Sequence, residues 1–317
     1  MESYLSLFGA NDRNVPLLEG ELGVRLVLRG CELNIAGPEP NVGMAVQVVE
    51  TLISLIQRHA QVDRTTLRYA AALAKEGQLD RLEDIAFEVI ATNHRGRPVR
   101  CKTLGQYQYV QAIREHELTF ALGPAGTGKT YLAMALAVVA LRKKEIERIV
   151  LTRPAVEAGE KLGFLPGDLN QKVDPYLRPL YDALYDMMGA ESYQRLQERG
   201  VLEVAPLAYM RGRTLSDSFI ILDEAQNTTP EQMKMFLTRF GANSRVVVTG
   251  DDTQTDLPLG KQSGLLQAVR VLEGIPEIAI VRLTHSDVVR HDLVQTIVKA
   301  YEAFQRDPMG RNTGHDA

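Results

Sequence analysis

Gly123-Pro124-Ala125-Gly126-Thr127-Gly128-Lys129-Thr130 is the stretch whose reading decides the fold of this chain. It matches the pattern G-x-x-x-x-G-K-[S/T], and both flanks suit it. Leu118–Leu122 is a short apolar run that predicts a buried strand leading in, and residues 131–141 form an alanine-rich apolar run that predicts a helix leading out. The spacing has a chemical reason. Glycines let the backbone curl until successive N–H groups point at a polyphosphate, and the helix N-terminus adds its partial positive charge. Lys129 then reaches the terminal phosphates and Thr130 is placed to hold a Mg2+ ion. The stretch is the expected site of a nucleoside triphosphate.

Downstream, Phe219-Ile-Ile-Leu-Asp-Glu224 is an apolar strand pattern ending in an acidic pair. On a strand near the phosphate loop, Asp223 suits Mg2+ and Glu224 suits orientation and deprotonation of an attacking water. Thr229-Pro-Glu-Gln232 has the form of a capping box with proline at the first helical position, a structural signal. Val246-Val-Val-Thr-Gly-Asp-Asp-Thr-Gln254 predicts a further buried strand whose polar end lies beside the phosphate loop. Gln254 is the candidate to sense the γ-phosphate, supported by Asp251. Upstream, Gln106 and Tyr109 are placed for a base clamp, the amide pairing with an adenine edge and the ring stacking on it. Arg153, Arg211, Arg213 and Arg290 are candidates to neutralise transition-state charge, within the chain or from a neighbouring subunit.

Strand patterns at 118–122, 148–152, 202–205, 219–222, 245–249 and 278–283 alternate with helical ones, which predicts an α/β fold with a mostly parallel sheet covered on both faces. Residues 1–92 have a different pattern: a hairpin signal at 24–35, a long amphipathic helix at 42–60, and two further helices at 66–75 and 79–90. They are expected to form a small α+β domain. Residues 93–105 form a basic linker containing His94, Arg95, Arg97, Arg100 and Lys102, with Gly96 and Pro98 against a helix. Such a run either keeps the chain solvated or contacts a phosphate backbone. Residues 106–306 make the phosphate-loop domain, and the polar, glycine-containing 307–317 a flexible tail.

At 317 residues the chain has room for two domains, and 45% hydrophobic with 24% charged residues is ordinary for a globular protein. A net charge of −4 gives no global sign of nucleic-acid binding, so any such role rests on local patches. Two distant cysteines, Cys31 and Cys101, argue against a zinc site or disulfide framework and for a reducing compartment. The N-terminal residues lack a signal-peptide pattern and no apolar run is long enough to span a bilayer, so a cytoplasmic location without membrane contact is expected.

With these residues in hand, the chain resembles the PhoH family of bacterial ATPases. The resemblance runs to about residue 305 and is carried by residues 123–130, 153–168 (RPAVEAGEKLGFLPGD), 206–214 (PLAYMRGRT), 222–227 (LDEAQN), 250–254 (GDDTQ) and 287–291 (DVVRH). It implies a P-loop NTPase core that is RecA-like and similar to the first motor domain of superfamily 1 helicases, with a KH-like N-terminal domain. It also implies that Gln106 reads adenine, that Gly123 to Thr130 hold the phosphates, that Asp223 and Glu224 serve metal and water, and that Gln254 senses the γ-phosphate. Asn11-Asp-Arg-Asn14 stands where an RNA-binding KH domain has GXXG, Cys101 replaces a usual proline, and Leu259 precedes Gly260 where the family often has arginine.

The resemblance implies a Mg2+-dependent ATPase of RNA metabolism that remodels RNA or ribonucleoprotein, with helicase-like activity within its reach. Ribosome maturation with an endoribonuclease or ribosome-associated partner fits that setting. One motor-like domain leaves no room for a second, so a homo-oligomer, a hexamer by resemblance, is expected to complete the site. The alternative is a slow nucleotide-switched adaptor that binds RNA or a protein using the same loop.

Overall fold

The computed structural model of the chain describes residues 6–29, 32–154, 169–254, 257, 262–289, 294 and 297, with the backbone alone for 169–176. The first elements follow the period of their apolar residues. Strand β1 (Arg25–Arg29) buries Leu26 and exposes Arg25, Val27 and Arg29, and it pairs antiparallel with β2 (Glu32–Ala36), Leu26 opposite Ile35. Before them runs helix α1 (Val15–Leu22), which the sequence pattern did not predict. Helix α2 (Glu39–Gln57) buries Ala45, Val48, Val49, Leu52 and Leu55 at three- and four-residue spacing. It starts ahead of the expected boundary because Pro40 fits a first helical turn. Helix α3 (Arg64–Lys75) begins at a capping box between Asp63 and Thr66. Helix α4 (Arg81–Phe87) is shorter than expected, because Glu88 is already extended and leads into a strand.

Residues 93–105, expected as a basic linker, are ordered. Strands β3 (Ala91–Thr92) and β4 (Pro98–Val99) pair antiparallel around a turn at 93–97, and helix α5 (Leu104–Glu115) follows, capped by Thr103. Side chains tie this segment to the preceding helices. The Leu104 N–H donates to Tyr69 Oη at 2.5 Å, Arg100 Nη1 donates to the Ala86 and Phe87 carbonyls, and Lys102 pairs with Asp63. Glu88 accepts from both Gln111 and Arg114. Cys101 is buried, which pushes its thiol up to about 12, with the Glu88 carboxylate adding to the effect. Cys31 lies outside the described residues.

Six strands form the main sheet: β5 (Leu118–Leu122), β6 (Arg148–Arg153), β7 (Leu202–Pro206), β8 (Ser218–Leu222), β9 (Arg245–Gly250) and β10 (Ile278–Arg282). Their order is β10-β5-β9-β8-β6-β7 and every neighbouring pair is parallel. Parallel strands are covered on both faces, and alternate residues divide between two cores. Phe219, Ile221, Val247, Ile149 and Leu151 join one core with helix α6 (Lys129–Arg142). Ile220, Leu222, Val246, Val248 and Val150 join the other with α9 (Pro230–Leu237) and α10 (Gly264–Leu272). Helices α7 (Leu169–Met188) and α8 (Ala190–Glu198) lie between β6 and β7 in the chain. The first core is continuous with the buried residues of the N-terminal helices, from Leu18 to Ile85. Among the described residues no helix is long and apolar enough to cross a membrane.

The Tyr69 hydroxyl therefore fastens the N-terminal unit to the start of α5. Tyr69→Phe leaves the Leu104 N–H without its acceptor and is expected to cost about 1 kcal/mol, seen as a lower midpoint in thermal unfolding with an unchanged transition shape.

Candidate nucleotide site

The strand order places three strand ends together. Strand β9 lies between β5, which leads into Gly123, and β8, which leads into Asp223. The phosphate loop thus has Gly250–Gln254 at its side and the acidic pair one strand further on. At Gly123 the backbone takes φ 143°, its N–H donates to the Gly250 carbonyl at 3.2 Å, and a Cβ there would stand 2.3 Å from the Leu283 carbonyl oxygen. Only glycine fits so close an approach. Gly126 and Gly128 also take positive φ, and α6 starts at Lys129. Thr127 Oγ1 donates to the Pro124 carbonyl, which holds the loop round. Pro124 is half-buried and Ala125 and Gly126 lie at the loop's crest, Ala125 exposed.

Lys129 folds over its own loop. Its ammonium donates to the Gly123 carbonyl at 2.5 Å and the Pro124 carbonyl at 2.9 Å. Burial lowers the ammonium pKa from its ordinary 10.5, and the carboxylates of Asp251, Glu224, Asp223 and Asp252 oppose that shift. Thr130 Oγ1 donates to Asp223 Oδ1 at 2.6 Å, and Thr249 Oγ1 donates to the same oxygen at 2.7 Å. The hydroxyl and the carboxylate proposed for Mg2+ are therefore already in contact. These are hard oxygen donors, and a single buried carboxylate with a hydroxyl suits an ion that keeps waters and takes its other ligands from phosphate. Among the described residues no cluster of three or more His, Cys, Asp or Glu side chains offers a cage for a metal on its own.

Glu224 sits in the left-handed region at φ 52°, a conformation that costs a non-glycine residue free energy and is held by its surroundings. Arg153 at the end of β6 reaches its Oε1 at 3.5 Å, and Gln226 Nε2 donates to its Oε2 at 2.6 Å. The other end of that amide accepts the Asp251 N–H at 3.0 Å. Gln226 is buried and so joins the acidic pair to the end of β9. A Cβ at Gly250 would stand 2.9 Å from Gln226 Oε1, so glycine there leaves the amide its place. The sequence reading gave no role to Gln226 or Thr249. The available signals were a carboxamide two residues past an acidic pair and a hydroxyl at the end of an apolar strand.

The other expected residues fall differently. Asp251 is buried, with Oδ1 accepting from Thr253 and Oδ2 without a partner among the described residues. Gln254 is exposed just beyond this turn. Gln106 is buried, its Nε2 donating to the Thr127 carbonyl at 2.9 Å and its Oε1 accepting the Lys102 N–H at 2.7 Å. One amide hydrogen remains for a base edge. Tyr109 corrects the base-clamp expectation: its ring is wholly enclosed between α5 and α6, with Oη donating to the Lys129 carbonyl, and has no free face for stacking. Arg213 is committed to Glu203 through both terminal nitrogens, at 2.5 and 2.7 Å, and Arg211 is exposed. Arg290, like Leu259 and most of residues 153–168, lies outside the described residues.

Two outcomes follow from this geometry. Gln226→Ala removes one of the contacts that hold the Glu224 carboxylate, and turnover of ATP is expected to fall on the order of 10²-fold while ATP binding in a titration stays close to that of the unchanged protein. Because burial depresses the Lys129 pKa, its charge is lost earlier than an exposed lysine's as pH rises. ATP affinity should therefore weaken on the alkaline side, and Lys129→Arg should flatten that dependence, since guanidinium stays charged.

The family model and the curated relatives agree on one family. The family model described as PhoH-like protein matches residues 98–302. The chain is 51% identical over 298 residues to the PhoH-like protein of Bacillus subtilis, covering 94% of this chain and 93% of that one. It is 52% identical over 309 residues to the PhoH-like protein of Mycobacterium tuberculosis, covering 97% and 87%. Protein PhoH of Escherichia coli is 48% identical over 206 residues, 64% of this chain and 58% of that one. Among solved structures, the Sulfolobus solfataricus SWI2/SNF2 ATPase core in complex with dsDNA overlaps at a TM-score of 0.33 and 14% identity, over 57% of this chain and 43% of that one. The P-loop NTPase assignment rests on the parallel strand order and the loop between β5 and α6. The chain is a P-loop ATP-binding protein and belongs to the PhoH family.

Proposed function

We propose that the protein is a Mg2+-dependent ATPase that acts on RNA or ribonucleoprotein in the cytoplasm. The observation that carries the ATPase reading is the meeting of Thr130, Asp223 and Thr249 at one carboxylate oxygen, with Glu224 beside it. A phosphate loop alone binds; a loop joined to an acidic pair can hydrolyse. In this reading the Lys129 ammonium exchanges the Gly123 and Pro124 carbonyls for phosphate oxygens when substrate arrives. Thr130 and Asp223 would hold Mg2+, which neutralises phosphate charge. Glu224 takes a proton from the attacking water as its oxygen bonds to phosphorus and the bond to the leaving diphosphate breaks. Arg153 and Gln226 keep that carboxylate aimed. Gln254, just beyond β9, senses the γ-phosphate in this reading, and the Gln226 amide, bonded to both Glu224 and the Asp251 N–H, joins the acidic pair to that strand end.

RNA as the acted-on partner, a role in ribosome maturation beside an endoribonuclease, and a homo-oligomer, a hexamer by family resemblance, complete the reading. It is supported by family membership and by the P-loop domain, whose transition-state charge an arginine such as Arg290 would neutralise, within the chain or from a neighbouring subunit. Glu224→Gln tests the hydrolytic centre. ATP turnover is expected to fall about 10²–10⁴-fold with ATP still bound, and structured RNA is expected to stimulate the unchanged protein. A rate that RNA leaves unchanged, with Glu224→Gln trapping a partner complex, would instead establish a nucleotide-switched adaptor.

A further inference from the structure

The turn at 93–97 is built with unusual care for a surface connection. Asn93 organises it: its Oδ1 accepts the N–H groups of Arg95 at 3.1 Å and Arg97 at 3.0 Å, and its own N–H donates to the Arg97 carbonyl. Gly96 takes φ 74°, which closes the turn. The result presents Arg95 and Arg97, both exposed, from a backbone already set in shape. Neither guanidinium has a carboxylate partner among the described residues, and Arg95 Nε instead donates to His94 Nε2. Arg142 Nη1 donates to the Thr92 carbonyl at 3.0 Å and its Nη2 to the Met187 carbonyl at 3.2 Å, which brings another exposed cation to the base of the hairpin, with Lys144 two residues on and Lys143 paired with Glu145.

The same turn is joined to the nucleotide site. Asn93 Nδ2 donates to Asp186 Oδ1 at 3.3 Å, and His94 Nδ1–H donates to the Asp186 carbonyl at 2.8 Å. Asp186 Oδ2 accepts from Tyr131 Oη at 2.7 Å. Tyr131 follows Thr130 directly in the first turn of α6. One carboxylate on α7 thus holds both the arginine-bearing turn and the helix that starts at the phosphate loop.

We propose that the 93–97 turn, with Arg142 beside it, is a binding surface for the phosphate backbone of an RNA strand, and that Asp186 links its occupancy to the phosphate-loop helix. Preset, unpaired arginines suit phosphate oxygens, which they meet with paired donors. The turn offers no apolar anchor of the kind a protein interface is centred on. In a chain of net charge −4, this patch concentrates the local positive charge such contact requires. The inference rests on the RNA reading above and names where RNA is held.

The test uses the full chain and a fluorescently labelled single-stranded RNA, followed by anisotropy over a range of salt. Arg95→Ala with Arg97→Ala should weaken binding about tenfold and make the log–log salt slope shallower by about 1.4, two phosphate contacts' worth on a single strand. RNA-free ATP turnover should be unchanged, since neither arginine touches the site. Tyr131→Phe should bind RNA normally but lose much of the RNA stimulation of turnover. If the double variant binds RNA with the original affinity and slope, the surface is not the RNA site and the proposal is overturned. Stimulation intact in Tyr131→Phe would overturn the Asp186 link. If the unchanged protein binds no RNA, the RNA reading itself fails.

Discussion

Much of the architecture converges on one oxygen atom. Asp223 Oδ1 accepts hydrogen bonds from Thr130, on the helix that begins at the phosphate loop, and from Thr249, near the end of β9. Two hydroxyls thus meet on one oxygen of a buried carboxylate, and a buried acceptor left without such donors would be costly. These two bonds join the phosphate-loop helix and β9 to the end of β8, which is possible because β5, β9 and β8 are adjacent and parallel. Parallel strands bring like ends to one edge of the sheet, so loop, acidic pair and strand-end hydroxyl face the same space.

Around this oxygen the site is held by groups that satisfy each other. Lys129 is buried and partnered by its own loop's carbonyls. Glu224, in a conformation costly to an ordinary residue, is anchored by Arg153 and Gln226. Gln226 in turn takes the Asp251 N–H. The Gln226 amide and the Lys129 ammonium each make two of these contacts.

The N-terminal unit takes part in this arrangement. Tyr69 caps the segment that leads to Gln106, and Gln106 holds the Thr127 carbonyl inside the phosphate loop. From the other side Asp287 packs against Gly105, where a Cβ would stand 2.5 Å from its carboxylate, and the Val289 N–H donates to the Gly126 carbonyl. The loop is therefore braced by segments from both ends of the chain, and its backbone shape is not left to its glycines alone.

The main strands were legible to within about a residue, because strands buried on both faces are continuous apolar runs with polar ends. The loop was legible too, since its function is carried by contiguous backbone. Helix α1 was not, its short span offering no periodic face long enough to stand out. Tyr109 was misread as a base clamp because periodicity puts residues on a face without saying what covers it; packing of α5 on α6 closed its ring away. Gln226 and Asp251, and Asn93 and Asp186, are partners separated by long stretches of chain, so no local pattern marks them. By itself, then, the sequence determined the kind of fold, the phosphate loop and the acidic pair, all properties of neighbours along the chain. Only the tertiary structure decided which polar groups are joined across it, because hydrogen bonds between distant residues exist only once the strands have been laid side by side.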